Sequence, residues 1–128
     1  AMWQISKSFG PHTSEEWLAL SQNMVRRLED GTYCLHYDPQ LRVPIRALTE
    51  EQAKAGEATL WQIYDLIQCP TLLIRGAESE LLSATAALEM TQRGARAQLA
   101  TLTGVGHAPT LTHQDQIDIV LQFLGLTA

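Results

Sequence analysis

The stretch TLLIRG at residues 71–76 decides the fold, because it is a largely apolar run with the length of one buried strand. It leads directly into a loop that contains Glu80, and a second apolar run, residues 97–102, leads into GVGHAP at residues 104–109. A strand, a helix and a strand within about 30 residues form a right-handed crossover with parallel strands. We therefore expect Glu80 and His107 to lie in loops at the same edge of a parallel sheet.

Length and composition indicate one compact globular protein of ordinary type. The chain has 128 residues, of which 45% are hydrophobic and 18% are charged. Its formal net charge of −5 argues against a nucleic-acid partner, because no basic surface is available to neutralise phosphates. The apolar runs are far shorter than the roughly 20 residues that span a bilayer, so we expect no membrane partner.

The cysteines and histidines show no pattern of a disulfide framework or a metal site. Cys34 and Cys69 are the two cysteines, and the four histidines are scattered without ligand spacing. The first residues lack the basic and apolar segments of a secretory leader. These features predict no metal and no cofactor, and they favour a reducing, cytoplasmic location.

The first part of the chain is predicted to be mainly helical. Thr13 and Glu16 form a capping-box pattern, and apolar residues then recur at helical spacing as far as Leu28. Gly31 is expected to end this helix. Residues 33–37 alternate between larger apolar and smaller or polar side chains, which predicts a short strand.

A second capping box opens the next predicted helix. Thr49 and Gln52 supply the pattern, and the apolar positions continue to Ile67, with an interruption expected at Gly56. We therefore treat residues 1–68 as a mainly helical region.

Residues 69–128 are predicted to alternate strand and helix as a β-α-β-α unit. Ser83 is expected to cap the first of these helices, which ends at Gly94. Thr112 is expected to cap the last helix, which Gly125 ends.

A sheet of two parallel strands buries too little apolar surface to be stable by itself. Either further strands belong to a longer parent protein, or two copies associate and share a sheet. An unpaired strand such as residues 71–75 is a template for association. The sequence therefore predicts a homo-oligomer, or a partner chain bound at the exposed sheet edge.

Several motifs together resemble the C-terminal part of the α/β-hydrolase superfamily, in its esterase, lactonase and epoxide-hydrolase-like group. They are CPTLLIRGAESELL at residues 69–82 and GVGHAPTL at residues 104–111. In addition, DGTY at 30–33, YDP at 37–39 and LW at 60–61 are similar to the cap segment that precedes this core. The resemblance implies a truncated α/β-hydrolase-like fold, with a helical cap segment before the β-α-β-α unit.

The same resemblance implies two catalytic residues. The histidine of the family's Ser–acid–His triad falls on His107, and the acid falls on Glu80, where the family usually has an aspartate. A glutamate can also accept the imidazole N–H, although it is one methylene longer. Glu78 is a lesser candidate for the acid. Without the resemblance, the residues favour a tight-turn role for His107 over a catalytic one, and a solvated loop charge for Glu80.

The nucleophile of such a triad is missing from the sequence. No Gly-x-Ser-x-Gly segment is present, and Ser79 lacks the flanking glycines of a nucleophile elbow, so a turn or helix-entry role is expected for it. The resemblance implies a hydrolase fragment for ester or lactone bonds of a small molecule, inactive as the isolated chain. Two alternatives are a non-catalytic oligomerising or partner-binding domain derived from a hydrolase, and a split enzyme whose partner supplies the serine.

Overall fold

The computed structural model describes residues 6–126 and divides the chain into two compact units. Residues 12–62 form one unit, and residues 6–11 together with 63–126 form the other. Among the described helices, none combines the length and the apolar character that crossing a membrane requires.

The unit of residues 12–62 begins with helix α1, Ser14–Met24. The Oγ1 of Thr13 accepts a hydrogen bond from the N–H of Glu16 at 3.2 Å. In return, the Glu16 carboxylate accepts from the N–H of Thr13 at 2.7 Å. The capping box expected from the sequence is therefore confirmed, because both exchanges are present.

The predicted extension of α1 to Leu28 is wrong. The helix ends at Met24, and strand β1, Val25–Arg27, pairs antiparallel with strand β2, Tyr33–Leu35. The strand predicted over residues 33–37 is thus present but shorter. Pairing of β1 with β2 gives the backbone of residues 25–27 an alternative set of hydrogen bonds to the helical set.

The turn between β1 and β2 explains why the hairpin replaces the helix. Asp30 accepts hydrogen bonds from both the N–H and the hydroxyl of Thr32, at 2.9 and 2.6 Å. These hydrogen bonds, the hydroxyl first, hold the pKa of Asp30 below its usual value. Gly31 adopts a φ of 84°, which favours glycine, and Asp-Gly is a strong hairpin signal.

Two further helices follow in the chain. Helix α2, Arg42–Arg46, is short, and helix α3, Glu50–Asp65, is the longest in the structure. The second capping box is present, since Thr49 and Gln52 exchange side chain to N–H hydrogen bonds of 3.0 and 3.2 Å. The interruption expected at Gly56 does not occur, because a helix tolerates one glycine at a cost of about 1 kcal/mol.

The second unit contains the predicted β-α-β-α arrangement, which is confirmed. Strand β3, Leu72–Gly76, lies parallel to strand β4, Gln98–Leu102, with Gly76 opposite Leu102 in the register. Helix α4, Ala84–Met90, connects the strands, and helix α5, Gln114–Phe123, follows them. The hydroxyl of Ser83 accepts from the N–H of Ala86 at 3.0 Å, as the sequence predicts for the cap of α4.

The start of α5 differs from the prediction. His113, and not Thr112, is the N-cap residue, and its side chain makes no capping hydrogen bond. The Thr112 hydroxyl instead lies 3.0 Å from that of Thr110. This local hydrogen bond competes with a capping role for Thr112.

The core of the second unit is small. Among the described residues, the buried apolar side chains are Ala87, Ala97, Leu102 and Val105. Many large apolar side chains remain exposed, among them Leu88 and Leu99 on the strand–helix unit. This distribution is typical of a folding unit that leaves apolar surface for further contacts.

The C-terminal end of α3 is tied to the loop after α4. The hydroxyl of Tyr64 donates to the carbonyl oxygen of Met90 at 2.6 Å. The guanidinium of Arg93 makes two hydrogen bonds to the Asp65 carboxylate and one of 2.7 Å to Glu89. The bonds from Arg93 hold the pKa of Asp65 below its ordinary value of 3.8.

This ion pair predicts a pH-dependent contribution to stability. A carboxyl group whose pKa is lower in the folded state stabilises the fold above its unfolded pKa, and this contribution is lost as the pH falls. We expect Asp65→Asn to lower the free energy of unfolding at about pH 6, and the difference from the wild type to shrink below about pH 4. Denaturant titrations of the wild type and of Asp65→Asn at pH 6 and pH 3 measure this difference in the free energy of unfolding.

Glu50→Gln is the matched control, because Glu50 also pairs with a cation, Lys54, but both side chains are largely exposed. A little-changed free energy of unfolding is expected at pH 6 for this variant. An Asp65→Asn difference of the same size at pH 6 and pH 3 would contradict the assignment.

Candidate active site

Two loops meet at the edge of the parallel sheet where both strands end. We call residues 77–82 the acid loop and residues 103–109 the histidine loop. The N–H of Ala77 donates to the carbonyl oxygen of Leu102 at 2.8 Å, and that of Glu78 donates to the carbonyl oxygen of Val105 at 3.0 Å. Backbone hydrogen bonds therefore continue beyond the strands and fix the two loops against each other.

The loops approach so closely that no side chain fits between them. A Cβ added to Gly76 would clash with the backbone oxygens of Val105 and Gly106. Such an overlap with backbone cannot be relieved by turning a flexible side chain. Only a glycine fits at position 76, because the histidine loop crosses over the end of β3 at that point.

The histidine loop is also held from its other side, by a single 3₁₀ turn at Lys7–Phe9. The N–H of Gly106 donates to the carbonyl oxygen of Ser8 at 2.6 Å. A Cβ on Gly106 would come within 2.8 Å of the Ser8 Cβ. No sequence motif indicates the contribution of Ser8, although the second glycine of Gly-x-Gly is a signal of a close approach.

The histidine loop presents the imidazole of His107 toward the acid loop. The Nδ1 of His107 lies 3.2 Å from the Oγ of Ser79, within hydrogen-bond distance. The ring is exposed, and within residues 6–126 its Nε2 has no hydrogen-bond partner. One ring nitrogen is therefore anchored, and the other is open to a reacting group.

The predicted acid residues lie in the acid loop, but neither is bonded to the imidazole. Glu78 and Glu80 are both exposed. In the described part of the chain, neither carboxylate forms a hydrogen bond or ion pair with His107. The structure thus places Ser79 beside the Nδ1 of the ring. The sequence led us to expect Glu80, the next residue in the chain, at that place.

Ser79 itself is held on two sides. Its N–H donates to the carbonyl oxygen of Gly76 at 3.0 Å, and its Oγ accepts from the N–H of Leu82 at 3.1 Å. The Nε of the buried Arg75 donates in turn to the carbonyl oxygen of Leu82 at 2.8 Å. Ser79 therefore stabilises a turn, as expected. Its hydrogen bond to His107 was not predicted by any sequence motif.

This arrangement can hold and move a proton but has no evident nucleophile. An exposed imidazole with one anchored nitrogen is the form of a general base. Hydrolysis by the triad chemistry also needs a serine in a strained elbow and N–H groups for the oxyanion. The elbow motif does not occur among the 128 residues.

Comparison with known proteins gives one relative by sequence. The chain is 44% identical over 122 residues to the 3-hydroxybutyrate-oligomer hydrolase of Cupriavidus necator, covering 93% of this chain and 42% of that protein. No protein-family profile matches the chain.

Two solved structures are similar in fold. An α/β hydrolase from Novosphingobium aromaticivorans superposes with a TM-score of 0.73 at 26% identity, over 98% of this chain and 44% of that one. A Rickettsia typhi protein assigned as a hydrolase superposes with a TM-score of 0.77 at 22% identity, over 99% of this chain and 41% of that one. The chain thus spans less than half the length of each protein that it resembles.

Because the histidine loop crosses so close to Gly76, replacing a glycine by alanine should affect the free energy of unfolding differently at positions 76 and 56. Gly76→Ala should lower the free energy of unfolding by about 3 kcal/mol, because the added methyl group meets backbone oxygens. Gly56→Ala should raise it by about 1 kcal/mol, since Gly56 lies within α3 and its added Cβ meets nothing within 4 Å. Urea unfolding of both variants checks the difference. Equal effects would show that the loops do not cross as described.

Proposed function

Since the chain belongs to the α/β-hydrolase superfamily and corresponds to the C-terminal part of that fold, we propose that it supplies the general base of an ester hydrolase. His107 is the base. The observation that carries this proposal is its position at the end of β4, with Nδ1 within 3.2 Å of Ser79 and Nε2 open.

In the proposed reaction His107 acts twice. Its Nε2 takes the proton of a serine hydroxyl as that oxygen attacks the ester carbonyl, and the imidazolium then returns a proton to the leaving alkoxide. Water repeats the cycle and releases the acid from the acyl-serine. General acid–base transfer of this kind contributes about 10²- to 10⁴-fold to a rate.

Glu80 is proposed as the acid of the site. Its carboxylate is exposed and adjoins Ser79, so its charge favours the imidazolium ion that forms during the reaction. An exposed charge at short range contributes about 1 kcal/mol in water, which corresponds to about a fivefold change in rate. We therefore assign Glu80 a smaller effect than His107.

The serine and the oxyanion donors are proposed to come from polypeptide outside these 128 residues. They belong either to the same longer chain or to a separate one. Nucleophile and oxyanion hole account for most of the rate enhancement in such enzymes. The isolated 128 residues are therefore proposed to be inactive.

The substrate class that we propose is a short oligomer of a hydroxy acid joined by ester bonds. This proposal rests on the 44% identity with the 3-hydroxybutyrate-oligomer hydrolase over 93% of the chain. Both the proposed chemistry and the ester linkage agree with a serine–histidine mechanism.

A chimera tests these assignments. Residues 6–126 replace the matching segment of the C. necator hydrolase, and release of 3-hydroxybutyrate from its oligomers is measured. We expect an active chimera in which His107→Ala lowers kcat by about 10⁴-fold, because the serine loses its base. Glu80→Gln should lower kcat about fivefold, since it removes the charge but keeps the shape.

The exposed His36 gives the matched control, and His36→Ala should leave kcat within twofold of the parent chimera. Retention of full activity by a folded His107→Ala chimera would refute the proposed base. The isolated chain serves as a second control, with the same slow hydrolysis of p-nitrophenyl butyrate before and after His107→Ala.

A second candidate function is association with another copy of the chain. A groove of about 450 Å³ runs along β4 and α5 and is lined by Leu72, Leu99, Ile119 and Phe123 among others. Each strand of the two-stranded parallel sheet has one unpaired edge in the described residues. Apolar surface beside an unpaired edge favours pairing of sheets.

Sedimentation measures this association directly. We expect a dimer at micromolar concentration, and Leu99→Glu should weaken dimerisation at least tenfold, because it places a charge in the groove. Leu81→Glu is the matched control, since Leu81 is 76% exposed and does not line the groove. A monomer at 100 μM would refute self-association and leave the hydrolase proposal intact.

A further inference from the structure

The other hydrogen bonds of Ser79 leave two possible directions for its hydrogen bond to His107. A serine hydroxyl has one hydrogen to donate and two lone pairs that accept. One lone pair of the Ser79 Oγ accepts from the N–H of Leu82 at 3.1 Å. A second lone pair and the hydroxyl hydrogen remain for the Nδ1 of His107, 3.2 Å away.

The two remaining options place the imidazole proton on different nitrogens. If the Ser79 Oγ accepts, Nδ1 carries the proton, and Nε2 has a free lone pair. If the Oγ donates, Nδ1 is the unprotonated nitrogen, and Nε2–H cannot take a proton. Only the first tautomer is a base toward a group that approaches the exposed Nε2.

We propose that Ser79 is a positioning residue that accepts the Nδ1–H of His107 and so holds the imidazole in its Nε2-basic tautomer. This rests on the proposed role of His107 as general base, and it gives Ser79 the direct contact that the family pattern assigns to a carboxylate. Glu80 then acts through its charge and not through a bond to the ring.

The surroundings of Ser79 fit an orienting role better than a nucleophilic one. Its backbone N–H is bound to Gly76, and its Oγ is bound to the N–H of Leu82. Leu82 is fixed by the buried Arg75, whose Nε donates to its carbonyl oxygen at 2.8 Å. A hydroxyl held by this chain of bonds has little freedom to move toward a substrate.

The effect on the tautomer ratio follows from the strength of one neutral hydrogen bond. Loss of such a bond changes an equilibrium by about two- to tenfold. Ser79→Ala should therefore shift the neutral imidazole of His107 toward Nε2–H by about that factor. Ser79→Thr keeps a hydroxyl at the same place and should preserve the wild-type ratio.

Nuclear magnetic resonance of the ¹⁵N-histidine-labelled 128-residue chain tests the proposal. The shifts of the two ring nitrogens of His107, assigned with His107→Gln, identify the protonated one at about pH 9, where imidazole side chains are neutral. We expect Nδ1–H as the main form in the wild type and in Glu80→Gln, and a shift toward Nε2–H in Ser79→Ala.

Three results would overturn the proposal: Nε2–H as the main form in the wild type, an unchanged ratio in Ser79→Ala, or an equal shift in Glu80→Gln. If Ser79→Ala does not fold, the wild type and Ser79→Thr still decide the question, because Nδ1–H must be the main tautomer of His107 in both.

The ratio of the two tautomers does not depend on whether the protein turns over a substrate. An inactive chimera with the expected ratio would therefore count against the proposed function alone.

Discussion

The contact between Gly76 and the histidine loop is the constraint on which the rest of the site depends. The absence of a side chain at the end of β3 lets the backbone of Val105 and Gly106 lie against it. Only at that distance can the N–H of Glu78 reach the carbonyl oxygen of Val105. Because the backbone bonds fix both loops, the fold places the backbone of His107, and the contact with Ser79 then orients its imidazole.

The replacement of a carboxylate by a hydroxyl beside Nδ1 changes the energetics of a general base. A hydrogen bond to a neutral acceptor is roughly half as strong as one to an ion. Ser79 can therefore select the tautomer and fix the ring plane, but it stabilises the imidazolium less than a bonded acid would. In the proposed site, the charge of Glu80 would supply the remaining, solvent-screened part of that stabilisation. The proposal thus divides positioning and charge stabilisation between two neighbouring residues, Ser79 and Glu80.

The sequence predicted what local patterns control. Both capping boxes, the parallel β-α-β-α unit and the shared edge for the two loops follow from hydrogen-bonding residue types and from strand periodicity. The hairpin at residues 25–35 was missed because its helical pattern competed with an Asp-Gly turn and the turn prevailed. The bond from Ser79 to His107 was not predictable, since it joins residues 28 positions apart through a loop crossing.

The Nε2 of His107 is open, and the loop that carries His107 is already held in place, which bears on how a complete site would form. Rate enhancement in serine hydrolases comes mainly from donors aimed at the oxyanion, and the base serves them by moving a proton. The proposed base, His107, lies in a loop that is held by backbone bonds within its own unit, so the placement of that loop does not require the donors to be present. The groove beside β4 is lined by both apolar and polar side chains, Leu99 and Phe123 as well as Gln98 and Gln122. For the proposed function, a second segment that docks on this unit has only to bring the serine to a histidine that is already oriented.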